Sequence, residues 1–89
     1  MIIEFDKSFE KSLEKIKSKS VFEKIEKIIL TFESLTSIDK MPNVKKLSGF
    51  NNYYRIRMGD YRIGVEAFDG NVVRFILIAH RKDIYKYFP

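Results

Sequence analysis

The chain has 89 residues, enough for one hydrophobic core and too few for two. It contains no cysteine and a single histidine, which argues against disulfide bonds, thiolate ligation and an all-protein zinc site. No apolar run reaches membrane length, and the early acidic residues Glu4 and Asp6 are unlike a signal peptide. We therefore predict a single cytoplasmic domain over residues 1–89, without metal or cofactor.

The net charge of +5 comes entirely from the second half of the chain. Residues 1–43 contain eight lysines and eight acidic residues, whereas residues 44–89 contain nine basic and four acidic residues. A guanidinium group can bind a phosphate through two parallel hydrogen bonds, whereas lysine on a helix mostly aids solvation. The second half thus indicates a polyanionic partner, with an acidic protein as the other candidate. It holds all five arginines: Arg55, Arg57, Arg62, Arg74 and Arg81.

The first half is predicted to form a strand and a helical hairpin. Residues 1–5 are a short apolar run typical of a strand. Asp6 is a suitable N-cap for a first helix with Phe9, Leu13 and Ile16 on one face. Residues 20–23 (Ser-Val-Phe-Glu) fit a capping box that begins a second helix. The apolar stripe of that helix is Phe22, Ile25, Ile28, Ile29, Phe32 and Leu35.

The second half is predicted to be mainly β. Residues 37–50 form a connection in which 44–47 are expected to have some order, and strands follow at 53–58, 61–68 and 72–79. Gly59-Asp60 and Asp69-Gly70 are two-residue hairpin signals of types II′ and I′. The last ten residues form a short helix or an extended tail. The predicted fold class is α+β: an N-terminal strand and a helical hairpin packed on a mainly antiparallel sheet, which ends in a three-stranded meander, and a short C-terminal segment.

The first hairpin places arginines on one face of the sheet. With a two-residue turn at 59–60, Arg57 lies opposite Arg62 and Arg55 lies opposite Gly64, all pointing away from the helices. Like charges directly opposite each other destabilise a sheet, and an anion bound between them would remove the repulsion. Gly64 would leave room for a ligand to approach the backbone.

The second hairpin extends this face, provided that its turn also has two residues. Leu77 then lies opposite Arg62, Arg81 joins the arginines, and Arg74 points towards the helices. His80 falls on the side opposite Arg81 unless the strand ends at Ala79. An extra loop residue would reverse these directions. On this register the arginine side also carries Val73, Phe75, Leu77 and Ala79.

Two segments of this region resemble motifs of the RelE/ParE superfamily of type II toxins. The first runs Lys-Leu-Ser-Gly at 46–49, then Tyr-Arg-Ile-Arg at 54–57 and Asp-Tyr-Arg-Ile at 60–63; the second is His-Arg-Lys-Asp-Ile-Tyr at 80–85. With the order of elements, the resemblance covers nearly the whole chain. It implies an mRNA endoribonuclease that acts in the ribosomal A site and is silenced by a cognate antitoxin. The toxin–antitoxin complex would bind operator DNA through the antitoxin.

The resemblance also implies roles for individual residues. Arg55 and Arg57 would contact and activate the RNA, Arg62 and Arg81 would bind the phosphate, and Tyr85 would stack on or orient the substrate. The reaction would need no metal, because the RNA's own 2′-hydroxyl attacks the adjacent phosphorus and the arginines stabilise the developing charge. Further RNA contacts are expected from Lys45, Lys46, Lys82, Lys86 and Tyr87.

One departure from the family pattern concerns proton transfer. The best-known RelE branch has lysines where this chain has Arg55 and Arg57, and arginine is a poor general base because it stays protonated. Histidine is the side chain that ordinarily changes charge near neutral pH, so His80 is the candidate acid or base on chemical grounds. Glu66 lies on the same face as the arginines and could be a base, but the simpler interpretation is that it balances their positive charge.

Two alternative functions remain on sequence grounds, because a fold does not define a function. One is inhibition of DNA gyrase, as in the ParE branch, and the other is non-catalytic binding of nucleic acid or protein. His80 and Tyr85 beside Arg81 favour the ribonuclease. An antitoxin is expected to use an acidic or amphipathic segment on the helices or a sheet edge, contacting Val73, Phe75 and Leu77.

Overall fold

The computed structural model describes all 89 residues. Two helices follow the first strand, four strands follow the helices, and a short helix ends the chain. None of the three helices has the length and apolar content needed to cross a membrane. The elements are β1 (Ile2–Phe5), α1 (Lys7–Glu14), α2 (Lys19–Ser34), a 3₁₀ turn (Ile38–Lys40), β2 (Val44–Lys46), β3 (Tyr53–Met58), β4 (Tyr61–Phe68), β5 (Val72–His80) and α3 (Ile84–Tyr87).

The five strands form one sheet in the order β1-β5-β4-β3-β2. Only β1 and β5 are parallel, and the other neighbours are antiparallel. The main core lies between one face of this sheet and the helices α1 and α2, with Phe9, Phe32 and Phe75 at its centre. The predicted fold class is therefore confirmed.

Both helices of the hairpin are capped, but α2 begins earlier than its sequence pattern predicts. The Asp6 carboxylate accepts a hydrogen bond from the Ser8 backbone, which confirms the first cap. The capping box predicted at residues 20–23 is wrong: Ser18 is the N-cap of α2, and its Oγ accepts from the Val21 nitrogen at 3.3 Å. The buried stripe consequently begins with Val21, whereas Phe22 is exposed.

The turn between β4 and β5 differs from the prediction because it contains three residues instead of two. Phe68 pairs with Val72, which leaves residues 69–71 as the loop, and both Gly70 and Asn71 have positive φ. The added residue reverses the faces at the start of β5. A β-bulge at Ile76 then adds a second unpaired residue and restores the predicted faces for the rest of the strand.

This loop overturns the predicted orientation of the first half of β5. Val73 and Phe75 do not join the arginines but lie completely buried against the helices. Arg74 does not point towards the helices: it is paired with Glu66 in the ladder, and its Nη2 lies 2.9 Å from Glu4 Oε1 on β1. Beyond the bulge, Ala79 rather than Leu77 lies opposite Arg62.

A second, smaller apolar cluster covers part of the other face of the sheet. It consists of Leu47, Ile84 and Phe88, with Leu77 and Ala79 packed against it. The Phe88 ring lies over Gly64, whose missing side chain therefore admits an aromatic ring of the same chain. The expectation that Gly64 leaves room for a ligand is wrong, because a Cβ atom there would be 2.6 Å from that ring.

Candidate functional site

Four arginines gather beside the small apolar cluster, on the sheet face that α1 and α2 leave uncovered. The predicted pairing of the first hairpin is confirmed, with Arg57 opposite Arg62 and Arg55 opposite Gly64. Arg81 follows the end of β5, where its backbone nitrogen donates to the Asp60 carbonyl at 2.8 Å. We call Arg55, Arg57, Arg62 and Arg81 the arginine cluster.

Arg62 is the member of the cluster most constrained by its surroundings. Its Nη1 donates to the carbonyl oxygens of Gly59 at 2.7 Å and Tyr61 at 2.8 Å, so the guanidinium is anchored to the turn. Partial burial is the main cause that lowers the pKa of this guanidinium below its usual value, and repulsion from the other three arginines adds to it. A group held among like charges in this way attracts an anion.

The remaining cluster members have lighter restraints. Arg55 Nε donates to the Tyr85 hydroxyl at 3.3 Å, which joins α3 to the sheet. Arg57 Nη2 donates to Asn43 Oδ1 at 3.3 Å, and its backbone nitrogen donates to the Asn43 carbonyl. No member of the cluster forms a salt bridge. The two ion pairs of the molecule are Glu4–Arg74 and Asp83–Lys86. The charge of the cluster is thus not neutralised within the chain.

Asn43 is a site residue that the sequence pattern does not indicate. Its φ of 63° lies in the left-handed region, which asparagine enters more readily than most residues. The only signal is its place after Pro42, a combination that marks a turn without indicating a role near an arginine.

The lysines proposed to bind RNA are divided between different surfaces. Lys45 pairs with Arg55 and therefore shares the face of the arginine cluster, whereas Lys46 pairs with Tyr54 on the helix side. Lys86 lies 3.2 Å from Asp83, so its charge is partly balanced. Lys82 is exposed in the turn after β5.

His80 and Tyr87 lie away from the arginine cluster. His80 pairs with Tyr61, and the two rings meet edge to face at 5.9 Å on the helix side of the sheet. Its Nδ1 accepts a hydrogen bond from the Lys82 backbone at 3.2 Å. His80 and Tyr87 line a cavity of about 440 Å³ together with Asp83. The structure therefore brings Arg55, Arg57, Arg62, Arg81 and Tyr85 together and leaves His80 and Tyr87 outside.

Comparisons with known proteins agree with this architecture. Residues 3–85 match the family described as the ParE toxin of the type II toxin–antitoxin system parDE. The chain belongs to the RelE/ParE family of type II toxins. It is 39% identical over 90 residues to Toxin RelE3 of Methanocaldococcus jannaschii, and the alignment covers both chains completely.

Solved structures of family members have the same fold. The RelB-RelE antitoxin-toxin complex from Methanococcus jannaschii contains a chain that is 40% identical, with a TM-score of 0.79; the match covers 97% of this chain and 99% of that one. The archaeal RelE-RelB complex from Pyrococcus horikoshii matches with a TM-score of 0.74 at 21% identity, over 93% of this chain and 97% of that one. The family assignment thus rests on sequence, and the more distant structure supports the fold alone.

Proposed function

We propose that this toxin is a metal-independent endoribonuclease that cuts mRNA in the ribosomal A site in the cytoplasm. The single observation that carries the proposal is the arginine cluster: four guanidinium groups without an acidic partner, next to an exposed tyrosine. Such a surface is suited to a phosphate whose charge grows during a reaction.

The reaction follows from the chemistry of RNA. The 2′-hydroxyl attacks the adjacent phosphorus, the bond to the 5′-oxygen breaks, and the products are a 2′,3′-cyclic phosphate and a free 5′-hydroxyl. Arg62 and Arg81 stabilise the negative charge that develops on the phosphate. Arg62 suits this role because two carbonyl oxygens hold one of its nitrogens and leave the rest of the guanidinium free. DNA is not cut, because it lacks the nucleophile.

Arg55 and Arg57 hold the RNA backbone on the open side of the sheet. Because a guanidinium is a poor proton acceptor, they lower the cost of deprotonating the 2′-hydroxyl by their charge instead of accepting its proton. The hydrogen bond from Arg55 orients Tyr85, which is 59% exposed and has its ring free to stack on a base. Stacking would hold the nucleotide in the in-line geometry that the attack requires.

His80 is an imidazole, the side chain most often used for acid–base catalysis, but it lies on the other face of the sheet. A group on that face cannot contact a phosphate bound by Arg62 unless the end of β5 rearranges. We therefore assign the main chemistry to the arginine cluster and Tyr85, with proton transfer left to groups of the ribosome or to water.

The protein partner proposed for this toxin is a cognate antitoxin. The relative of known structure that is 40% identical is described as a complex with RelB. An acidic or amphipathic segment complements the un-neutralised basic face. The predicted contact through Val73 and Phe75 is dropped, because both side chains are completely buried. Binding of the complex to operator DNA would then depend on the antitoxin.

A second candidate function is inhibition of DNA gyrase, favoured by one observation: the matching family is described as the ParE toxin. Mapping RNA ends in a translating extract, with and without the protein, separates the two. The proposal expects new 5′-hydroxyl ends within open reading frames and no effect on gyrase supercoiling. Inhibited supercoiling without new RNA ends would favour the second candidate and overturn the first.

A further inference from the structure

A second basic site lies next to the arginine cluster, on the other side of the turn between β3 and β4. A cavity of about 280 Å³ opens between α2, the segment 41–43 and the end of β3. Lys24 and Lys27 line it from α2, and Arg57 lines it from β3. No carboxylate is among its lining residues, and none of the three cations belongs to an ion pair. Its apolar floor consists of Ile28, Met41, Ile56 and Met58.

The cavity is continuous with the arginine cluster through two contacts. Arg57 belongs to both sites, since it lies opposite Arg62 in the ladder and also lines the cavity. The Lys24 ammonium lies 3.5 Å from the position that a Cβ atom would take at Gly59. The carbonyl of the same glycine accepts a hydrogen bond from Arg62. The turn between β3 and β4 therefore carries positive charge from α2 on one side and from the arginine cluster on the other.

Lys24 and Lys27 come from the half of the chain whose net charge is zero, so the fold itself brings them to the basic surface. They are three residues apart on α2, which places both on the same side of the helix. Two like charges at this spacing repel each other, and a bound anion between them would remove that repulsion. Arg57 also lines the cavity, and its Nη2 donates to Asn43 Oδ1 there, so it would be the third donor to such an anion.

We propose that this cavity is a second phosphate site, which binds the RNA sugar–phosphate backbone one or more nucleotides away from the phosphate held by Arg62. The inference rests on the proposed ribonuclease function and extends its substrate path from the sheet to α2. RNA fits better than an acidic peptide, because a chain of evenly spaced charges can follow cations that lie on both sides of the β3–β4 turn, from the arginine cluster to Lys24 and Lys27.

The salt dependence of RNA binding tests the site without requiring cleavage. Affinity for a labelled single-stranded RNA oligonucleotide is measured by fluorescence anisotropy over a series of KCl concentrations. The double variant K24Q/K27Q is compared with K7Q/K11Q, which removes the same charge from exposed positions on α1. Each phosphate contact contributes about 0.7 to the slope of log K against log salt for single strands. K24Q/K27Q should therefore lower the slope by up to about 1.4, whereas K7Q/K11Q should retain the wild-type slope.

Several results would overturn the inference. One is an equal slope for the two double variants, and another is a wild-type chain without measurable affinity for the oligonucleotide at the lowest salt. A K24Q/K27Q variant that binds RNA normally but loses a purified antitoxin would assign the cavity to the protein partner instead. The ribonuclease proposal can fail separately. If the wild-type chain binds RNA with the expected slope but leaves no new RNA ends in a translating extract, the cleavage proposal is contradicted, whereas the second phosphate site is still supported.

Discussion

The aromatic ring of Phe88 fills the space above Gly64 that any other residue would occupy with its side chain. A Cβ atom at residue 64 would lie 2.6 Å from two atoms of the ring, well inside van der Waals contact. The contact ties the C-terminal segment to the middle of β4, two residues along the strand from Arg62. Because Tyr85 belongs to the same segment, the position of the proposed stacking residue depends on the absence of a side chain in the sheet.

We expect Gly64→Ala to lower the free energy of unfolding by about 1–3 kcal/mol, the range for overpacking a filled site. Urea denaturation of the purified variant measures this cost. In a Phe88→Ala background the methyl group has room, and most of the cost of Gly64→Ala should disappear. The same cost in both backgrounds would contradict the packing explanation.

Arg62→Ala and Arg81→Ala should each reduce RNA cleavage by about 10²-fold or more, the scale for removing one preorganised charge stabiliser. Cleavage rates in a translating extract measure the loss, and circular dichroism checks that the fold survives. Arg74→Ala is the matched control, because it removes an arginine from the same sheet that pairs with Glu4. A folded double variant R62A/R81A that cuts at the wild-type rate would rule out this assignment.

Replacements of Tyr85 should separate the ring from its hydroxyl. Tyr85→Phe keeps the stacking surface and removes only the hydrogen bond from Arg55, so a loss of less than about 10-fold in cleavage is expected. Tyr85→Ala removes the stack itself, worth about 1–3 kcal/mol, and should cost between about five-fold and about a hundred-fold in kcat/KM. Equal losses in the two variants would show that the hydroxyl, not the ring, is the important group.

His80→Ala should leave the cleavage rate and its acidic pH limb close to those of the wild type, because the imidazole faces Tyr61 across the sheet from the arginines. A pH–rate profile from about pH 5 to pH 8 covers the titration of an unperturbed histidine. A loss of about 10²-fold together with a flattened acidic limb would instead identify His80 as an acid or base. That outcome would require the end of β5 to change its face in the ribosomal complex.

The hairpin between β3 and β4 could be predicted residue by residue because its turn is the two-residue type that its sequence indicates. Gly59 has the positive φ that a type II′ turn needs at its first position. This register places Arg55, Arg57 and Arg62 on one face, and the structure confirms each pairing. The first three arginines of the site could therefore be located from the alternation of side chains alone.

The hairpin between β4 and β5 could not be predicted in the same way. Asp69-Gly70 indicates a two-residue turn, but the neighbouring Asn71 joins the loop and makes it three residues long. Asn71 takes a left-handed conformation as well, and the loop gains a residue. The bulge at Ile76 has no recognisable pattern of its own, although its carbonyl accepts a hydrogen bond from the Ser8 side chain on α1. A tertiary contact of this kind is not visible in local sequence.

The second phosphate site escaped prediction for a different reason. Lys24 and Lys27 lie in a helix with as many acids as bases around it, which is typical of a solvated surface. Their role depends on which strand end the helix passes, and this depends on the packing of the whole domain. The prediction that Gly64 leaves room for a ligand was wrong for the same reason. Phe88, which fills that space, is 24 residues away in the chain.

The two irregularities of β5 are mutually dependent. If Asn71 were deleted and Ile76 kept, one half of the strand would turn its side chains to the wrong face of the sheet. Either Phe75 would leave the core or Ala79 would enter it. Without both Asn71 and Ile76, all eight residue pairs between β4 and β5 could still form with the same partners. Members of this family that shorten the loop are thus expected to shorten the strand as well, so that insertions and deletions at these two positions occur together, although four residues separate them.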